Sequence, residues 1–166
     1  MKSNKTKLIV ITALLTAICA CCTAFISIPM VGTGGYVHLG DAIIMISASV
    51  LPLPFSLFVG AIGGVLGDLL VGAPVWAPFT FIVKGLVVLM FTSKKDKMLN
   101  TRNIIAILPA LAITLAGYYL AEAIIYGNWI APFASMIGNV IQIVSSAIIY
   151  VVFAIALDKI NFKSKI

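Results

Sequence analysis

Six apolar stretches, divided by breaks too short to hold a second domain, constrain this 166-residue chain more than any other feature. A helix needs about 20 apolar residues to cross a bilayer, so the length accommodates six short spans and little else. The stretches cover approximately residues 8–28, 39–51, 55–71, 78–91, 104–126 and 132–157. Pro29 closes the first. Leu51-Pro52-Leu53-Pro54 reads as a tight turn, because proline fixes φ and removes a donor. Gly72-Ala73-Pro74 and Gly127-Asn128-Trp129 supply two further breaks, and Thr92 to Asn103 is the clearly hydrophilic loop. A bend is expected near Pro109. The runs are continuous, not alternating, which favours helices over a barrel. Only 10% of the residues are charged and 62% are hydrophobic, against roughly 25% charged in a soluble domain. The expectation is an all-α membrane protein: one domain over 1–166, a bundle of six transmembrane helices, with no room for a soluble catalytic or ATPase domain.

The net charge of +6 does not point to nucleic acid, because of where it lies. Ten of the eleven basic residues flank apolar runs: Lys2, Lys5 and Lys7; Lys94, Lys95, Lys97 and Arg102; Lys159, Lys163 and Lys165. With six spans all ten fall on one side, and the positive-inside rule places that side, with both termini, in the cytoplasm. Cys19, Cys21 and Cys22 form neither a zinc spacing nor a disulfide framework and read as small packing residues. The run from Leu8 to Ile28 is long enough to span, so it is read as a retained helix and not a cleaved leader.

Charged groups inside hydrocarbon cost several kcal/mol, which makes each a functional candidate. They are Asp41, Asp68, Lys84 and Glu122, with His38 at the edge. Each lies near the extracellular end of its span. Asn139 and Gln142, three apart, share a face of the last helix in the same half. The inner half reads as almost purely apolar. A proton or ion path needs polar groups at every depth, whereas an outward-facing pocket needs them at one end only. An acid could simply pair with Lys84 and tie helices together. Three acids against one base nevertheless leave two negative charges to be solvated, protonated or met by a ligand.

Tyr118 and Tyr119 stand one turn before Glu122. They can stack on a flat heteroaromatic ligand or pack in the core. Tyr36, Trp76, Tyr126 and Trp129 fit an interfacial belt or ligand stacking, with Tyr36 and Trp76 in the lid region. His38 can be a helix-start residue or a ligand contact, and no metal-ligand set is visible. Gly32, Thr33, Gly34 and Gly35 give the loop before His38 the freedom of a lid. Gly60, Gly63, Gly64 and Gly67 read as one packing face of the third helix. Ala13, Ala17, Ala20 and Ala24 form a stripe on the first, for internal packing or for docking another subunit.

The stretch Gly35-Tyr36-Val37-His38-Leu39-Gly40-Asp41-Ala42, the glycines leading to Asp68, Trp76-Ala77-Pro78-Phe79-Thr80 and Lys84-Gly85 carry a resemblance. So do Gly138-Asn139 with Gln142 and the pair Ala13 and Ala17. The chain resembles the S components of energy-coupling factor (ECF) transporters over nearly its whole length, and within them the hydroxymethylpyrimidine and pyridoxine branch. The resemblance implies a multi-pass subunit of the bacterial plasma membrane that binds a water-soluble vitamin or precursor with high affinity. It implies partners, a transmembrane coupling protein and two cytoplasmic ATPases, and contact with the former through Ala13 and Ala17. The expected substrate-binding residues are Tyr36, His38, Asp41, Asp68, Trp76, Lys84, Tyr118, Glu122, Asn139 and Gln142, with no catalytic residue, cofactor or metal. Two alternatives stand beside this: an intramembrane aspartyl hydrolase using Asp41 and Asp68, and a stand-alone secondary transporter.

Overall fold

The structure, a computed structural model, describes residues 5–30 and 35–165. Lys2 and the loop glycines Gly32 and Gly34, with Thr33, lie outside the described residues. Among those described, six helices follow in order: α1 Lys5–Phe25, α2 Gly40–Val50, α3 Leu53–Val71, α4 Ala77–Met90, α5 Thr101–Tyr126 and α6 Pro132–Lys159. Four of them, α1, α3, α5 and α6, are long and apolar enough to cross a membrane. The other two are shorter apolar helices. At 11 residues, α2 is only about 16 Å long.

Local chemistry sets the helix ends. Leu51 is extended (ψ 150°) because Pro52 disfavours the helical region for its predecessor. Gly72 and Gly127 close α3 and α5 in the left-handed region, at φ 82° and 62°, where a side chain is strained. The bend expected at Pro109 occurs at Ala106, one turn earlier, because proline cannot bond the carbonyl four residues back. A π-helical turn, Phe58–Ile62, interrupts α3.

Packing closes a ring. Helix α1 lies on α3, α3 on α4, α4 on α5, α5 on α6, and α6 on α2, which returns to α1. Helix α2 also touches α3 and α4, and every residue of it except Ile43 is buried. A helix buried on nearly every side belongs in the interior, and this one is the most enclosed member of the ring. The large exposed side chains, such as Ile9, Leu14, Phe81, Leu108 and Phe153, point outward on the surrounding helices. A soluble protein rarely shows so extended an apolar surface, and lipid is the solvent it fits.

Three expectations need correction. First, the apolar run to Ile28 is not helical throughout. Helix α1 stops at Phe25, and β1 (Ser27–Pro29) pairs antiparallel with β2 (Tyr36–His38), Ser27 opposite His38 and Pro29 opposite Tyr36. Pro29 forces extended geometry on Ile28, and the second strand satisfies the backbone that helix would have satisfied. Second, the four glycines of α3 serve two faces. A side chain on Gly63 or Gly67 would strike Cys19 or Thr23 of α1, whereas one on Gly60 or Gly64 would strike Val88 or Thr80, from α4. Third, the end of the bundle opposite the hairpin is not purely apolar. Asn103 Nδ2 donates to Ser49 Oγ (3.2 Å), to the Thr92 carbonyl (3.0 Å) and to the Met98 carbonyl (2.9 Å). Tyr150 bonds Ser49 (2.9 Å) and the Met98 carbonyl (2.9 Å). The Asp158 carboxylate accepts the backbone N–H groups of Met98 (2.8 Å) and Leu99 (3.0 Å). The loop of residues 91–100 is thereby tied down. The alanine stripe also divides, with Ala13 and Ala17 exposed, Ala20 buried and Ala24 half-buried.

The glycine contacts are testable. Gly67→Val, meeting Thr23 across the α1–α3 contact, should destabilise by about 1–3 kcal/mol, as overpacking does. Gly85→Ala, with open space around it, should be neutral. Thermal unfolding in detergent measures both.

Candidate ligand-binding site

Between the hairpin and the bundle lies a hollow of about 410 Å³, its open mouth included. The hairpin contributes Met30, Gly35, Tyr36 and His38 to its wall, and α3 contributes Asp68. Trp76 and Thr80 come from α4 and the turn before it, Tyr118 and Glu122 from α5, and Ser135, Asn139 and Gln142 from α6. Four helices, α3 to α6, and the hairpin thus converge on one space through residues far apart in sequence.

Beneath the wall lies a charged layer. Lys84 Nζ stands 2.7 Å from Asp41 Oδ1 and donates to Oδ2 at 2.9 Å, and neither side chain has any exposure. Gln142 Nε2 donates to Asp41 Oδ2 at 2.7 Å. Its carbonyl oxygen accepts the His38 backbone N–H at 3.1 Å. Gln142 therefore fastens the hairpin to the ion pair. Asp41 lies in the first turn of α2, where the helix dipole favours a negative charge. Gly64 leaves room for the stem of Lys84, since a side chain there would come within 3.3 Å of Lys84 Cγ. The ammonium also lies 5.0 Å from the centroid of the Tyr118 ring, a cation–π arrangement.

Asp68 and Glu122 face the hollow. The Tyr36 hydroxyl donates to Asp68 Oδ1, tying the hairpin to α3. Asp68 Oδ2, Glu122 Oε1 and Ser135 Oγ are buried with no hydrogen-bond partner among the described residues. Thr80 and Tyr118 share a hydrogen bond of 3.1 Å, and Tyr118 packs near Trp76, centroids 6.1 Å apart. Trp76 also meets Tyr126 edge-on at 6.4 Å. His38 Nδ1 accepts the Gly40 N–H at 3.1 Å, closing the first turn of α2. Burial, reinforced by the Lys84 charge and opposed by Asp41, pushes the imidazole down to about 4. The ring is neutral, with Nδ1 as acceptor.

Of the ten residues expected from the sequence, eight line the hollow. Asp41 and Lys84 lie instead in the layer below, paired with each other. The pairing of Lys84 with Asp68 or Glu122 weighed from the sequence is thus taken by Asp41. The aromatics divide as well. Trp76 is buried in the wall, whereas Trp129 is exposed and Tyr119 packs on Phe133 (5.2 Å) and donates to the Trp129 carbonyl. Met30, Thr80 and Ser135 were missed. Ser135 could have been found, since Ser135, Asn139 and Gln142 follow the i, i+4, i+7 spacing of one helix face. Met30 carries no such signal. Its sulfur fills the notch left by Gly138 on α6, a fit made only by the folded hairpin.

Comparison with known proteins gives two findings. The family described as "ECF-type riboflavin transporter, S component" matches residues 3–159. An "Uncharacterized protein in gap 3'region" from Pyrococcus woesei is 30% identical over 129 residues, 76% of this chain and 85% of that protein.

Removing one partner of a buried ion pair leaves an uncompensated charge. Lys84→Met should therefore cost about 3–5 kcal/mol, and Asp41→Asn added to it should restore part of the loss. Unfolding in detergent compares the single and double variants. His38 predicts a pH dependence. Its folded pKa of about 4 lies below the free value of about 6.5, so the unfolded chain binds more protons between the two. Stability is full above the upper value and falls as pH drops through the window. His38→Asn should flatten that part of the wild-type profile.

Proposed function

Because this chain belongs to the S-component family of ECF-type riboflavin transporters, whose members are substrate-binding transporter subunits and not enzymes, we propose that it captures a flat heteroaromatic vitamin or precursor outside the cell. The observation that carries this reading is the hollow itself. It has aromatic walls in Trp76, Tyr118 and Tyr36 and polar edges in Asp68, Glu122, Asn139 and Gln142. A shaped apolar slot with a few placed polar groups is how proteins hold ring ligands. Riboflavin, named by the family, and the hydroxymethylpyrimidine or pyridoxine of the branch resembled by sequence are all flat and heteroaromatic. That shared chemistry is the substrate class proposed.

The remaining parts of the proposal follow from it. Binding has high affinity, and import is driven by two cytoplasmic ATPases acting through a transmembrane coupling protein. Both termini face the cytoplasm of a bacterial plasma membrane, on the strength of the ten basic residues gathered at one side. The hollow opens at the other side, where the loops carry no Lys or Arg. Ala13 and Ala17, exposed on α1, let a helix of the coupling protein approach closely. An aspartyl hydrolase finds no support, since Lys84 holds Asp41 and Tyr36 holds Asp68. A stand-alone transporter finds none either, because the polar groups at the opposite end bond one another and the backbone.

Proteoliposomes test the whole. Uptake of the bound vitamin should require the coupling protein, both ATPases and internal ATP. Ala17→Leu should abolish uptake while leaving binding, followed by the protein's tryptophan fluorescence, unchanged. Uptake by the isolated chain without ATP would refute the subunit role.

A further inference from the structure

Two acids in the wall of the hollow form no ion pair among the described residues, although the Lys84 charge below acts on Asp68 from beyond ion-pair distance. Lys84 is the one lysine or arginine among the buried described residues, and Asp41 engages it with both carboxylate oxygens. His38 contributes no positive charge, since its Nδ1 accepts a backbone N–H. Asp68 and Glu122 are each only 3% exposed. Glu122 presents an oxygen without a partner among the described residues. Asp68 presents a second oxygen in the same condition beside the one held by Tyr36. In either protonation state these groups supply no positive charge. An anion entering the hollow would shed its water and find two acids and no free cation.

We propose, resting on the S-component reading, that the hollow selects a heteroaromatic ring bearing N–H donors and no negative charge. Glu122 and Asp68 receive those donors, and phosphorylated or carboxylated forms of the same ring are rejected. Glu122 is the principal determinant because its free oxygen is not shared with the hairpin. Ser135, whose hydroxyl also lacks a partner, lies on the opposing helix and can meet the same edge of the ligand. The site thus distinguishes a free nutrient from its phosphate ester by charge and not by size.

The test is direct binding to the full chain in detergent. The probes are riboflavin, pyridoxine and hydroxymethylpyrimidine, each beside its own monophosphate ester. At least one parent compound should bind saturably, with its ester weaker by about a hundredfold, as unpaired like charges require. Glu122→Gln should weaken the parent by about tenfold or more, as loss of a charged hydrogen bond does, and should narrow the gap to the ester. Asp68→Asn serves as the second variant, and elution as a single species checks that each is folded. An ester that binds as tightly as its parent overturns the proposal, and so does a folded Glu122→Gln protein with unchanged selectivity. Should both variants lose their fold, the wild-type pairs decide. Silence from all six probes refutes this ligand class. Co-purification with the coupling protein and ATPases reports separately on the subunit reading, so the two failures are distinguishable.

Discussion

The ion pair between Asp41 and Lys84 is the point from which the rest of the bundle is arranged. Neither group could be buried alone, because an isolated charge in an apolar interior is prohibitively costly. Together they fix the top of the central helix α2 against α4, and Gln142 adds α6. The same glutamine accepts from the backbone of His38, so the hairpin above is aligned by the pair below. A buried pair is weak evidence for net stability, and its better attested use is to specify register. Here the register so specified is that of helices from four parts of the chain around one hollow.

The two ends of the bundle use polar groups for opposite purposes. At the end away from the hairpin, Ser49, Asn103 and Tyr150 are buried and bond one another and the backbone of the loop. Such a network rigidifies and leaves nothing for a ligand. At the hairpin end, Asp68, Glu122 and Ser135 retain atoms without partners. Unsatisfied buried polar atoms are rare and need an explanation. The ligand-binding proposal supplies one. The hairpin closing this end is tied by two side-chain links, Tyr36 to Asp68 and the His38 backbone to Gln142. Both links end on residues that line the hollow.

Much of this was legible from the sequence because the bilayer simplifies the code. Polar residues within long apolar runs are few, so each one stands out, and eight of the ten expected residues reached the wall. The differences from the sequence reading share a cause. Asp41 and Lys84 were expected among the pocket residues, and the structure pairs them across α2 and α4 below the hollow. Gly60, Gly63, Gly64 and Gly67 looked like one face until α3 proved to pack on two neighbours at once. Asn103 read as part of a hydrophilic loop, although its amide is buried against Ser49 and two carbonyls. In each case the local pattern was correct and the neighbour was unknown.

What the sequence determined by itself was the class of solvent, the number of helices and the end at which the buried charges gather. Those properties depend on hydrophobic run length, proline and glycine breaks and the position of charges, all of which are local. What only the tertiary structure decided was pairing: which acid Lys84 meets, which atoms stay free, and how Met30 and Gly138 seat a hairpin that begins inside an apolar run. Pairing is set by contacts between residues far apart in the chain, 108 positions for Met30 and Gly138, and a linear pattern holds no distance between them. The bilayer makes helices obligatory, but it leaves to close packing the choice of which side chains share a space.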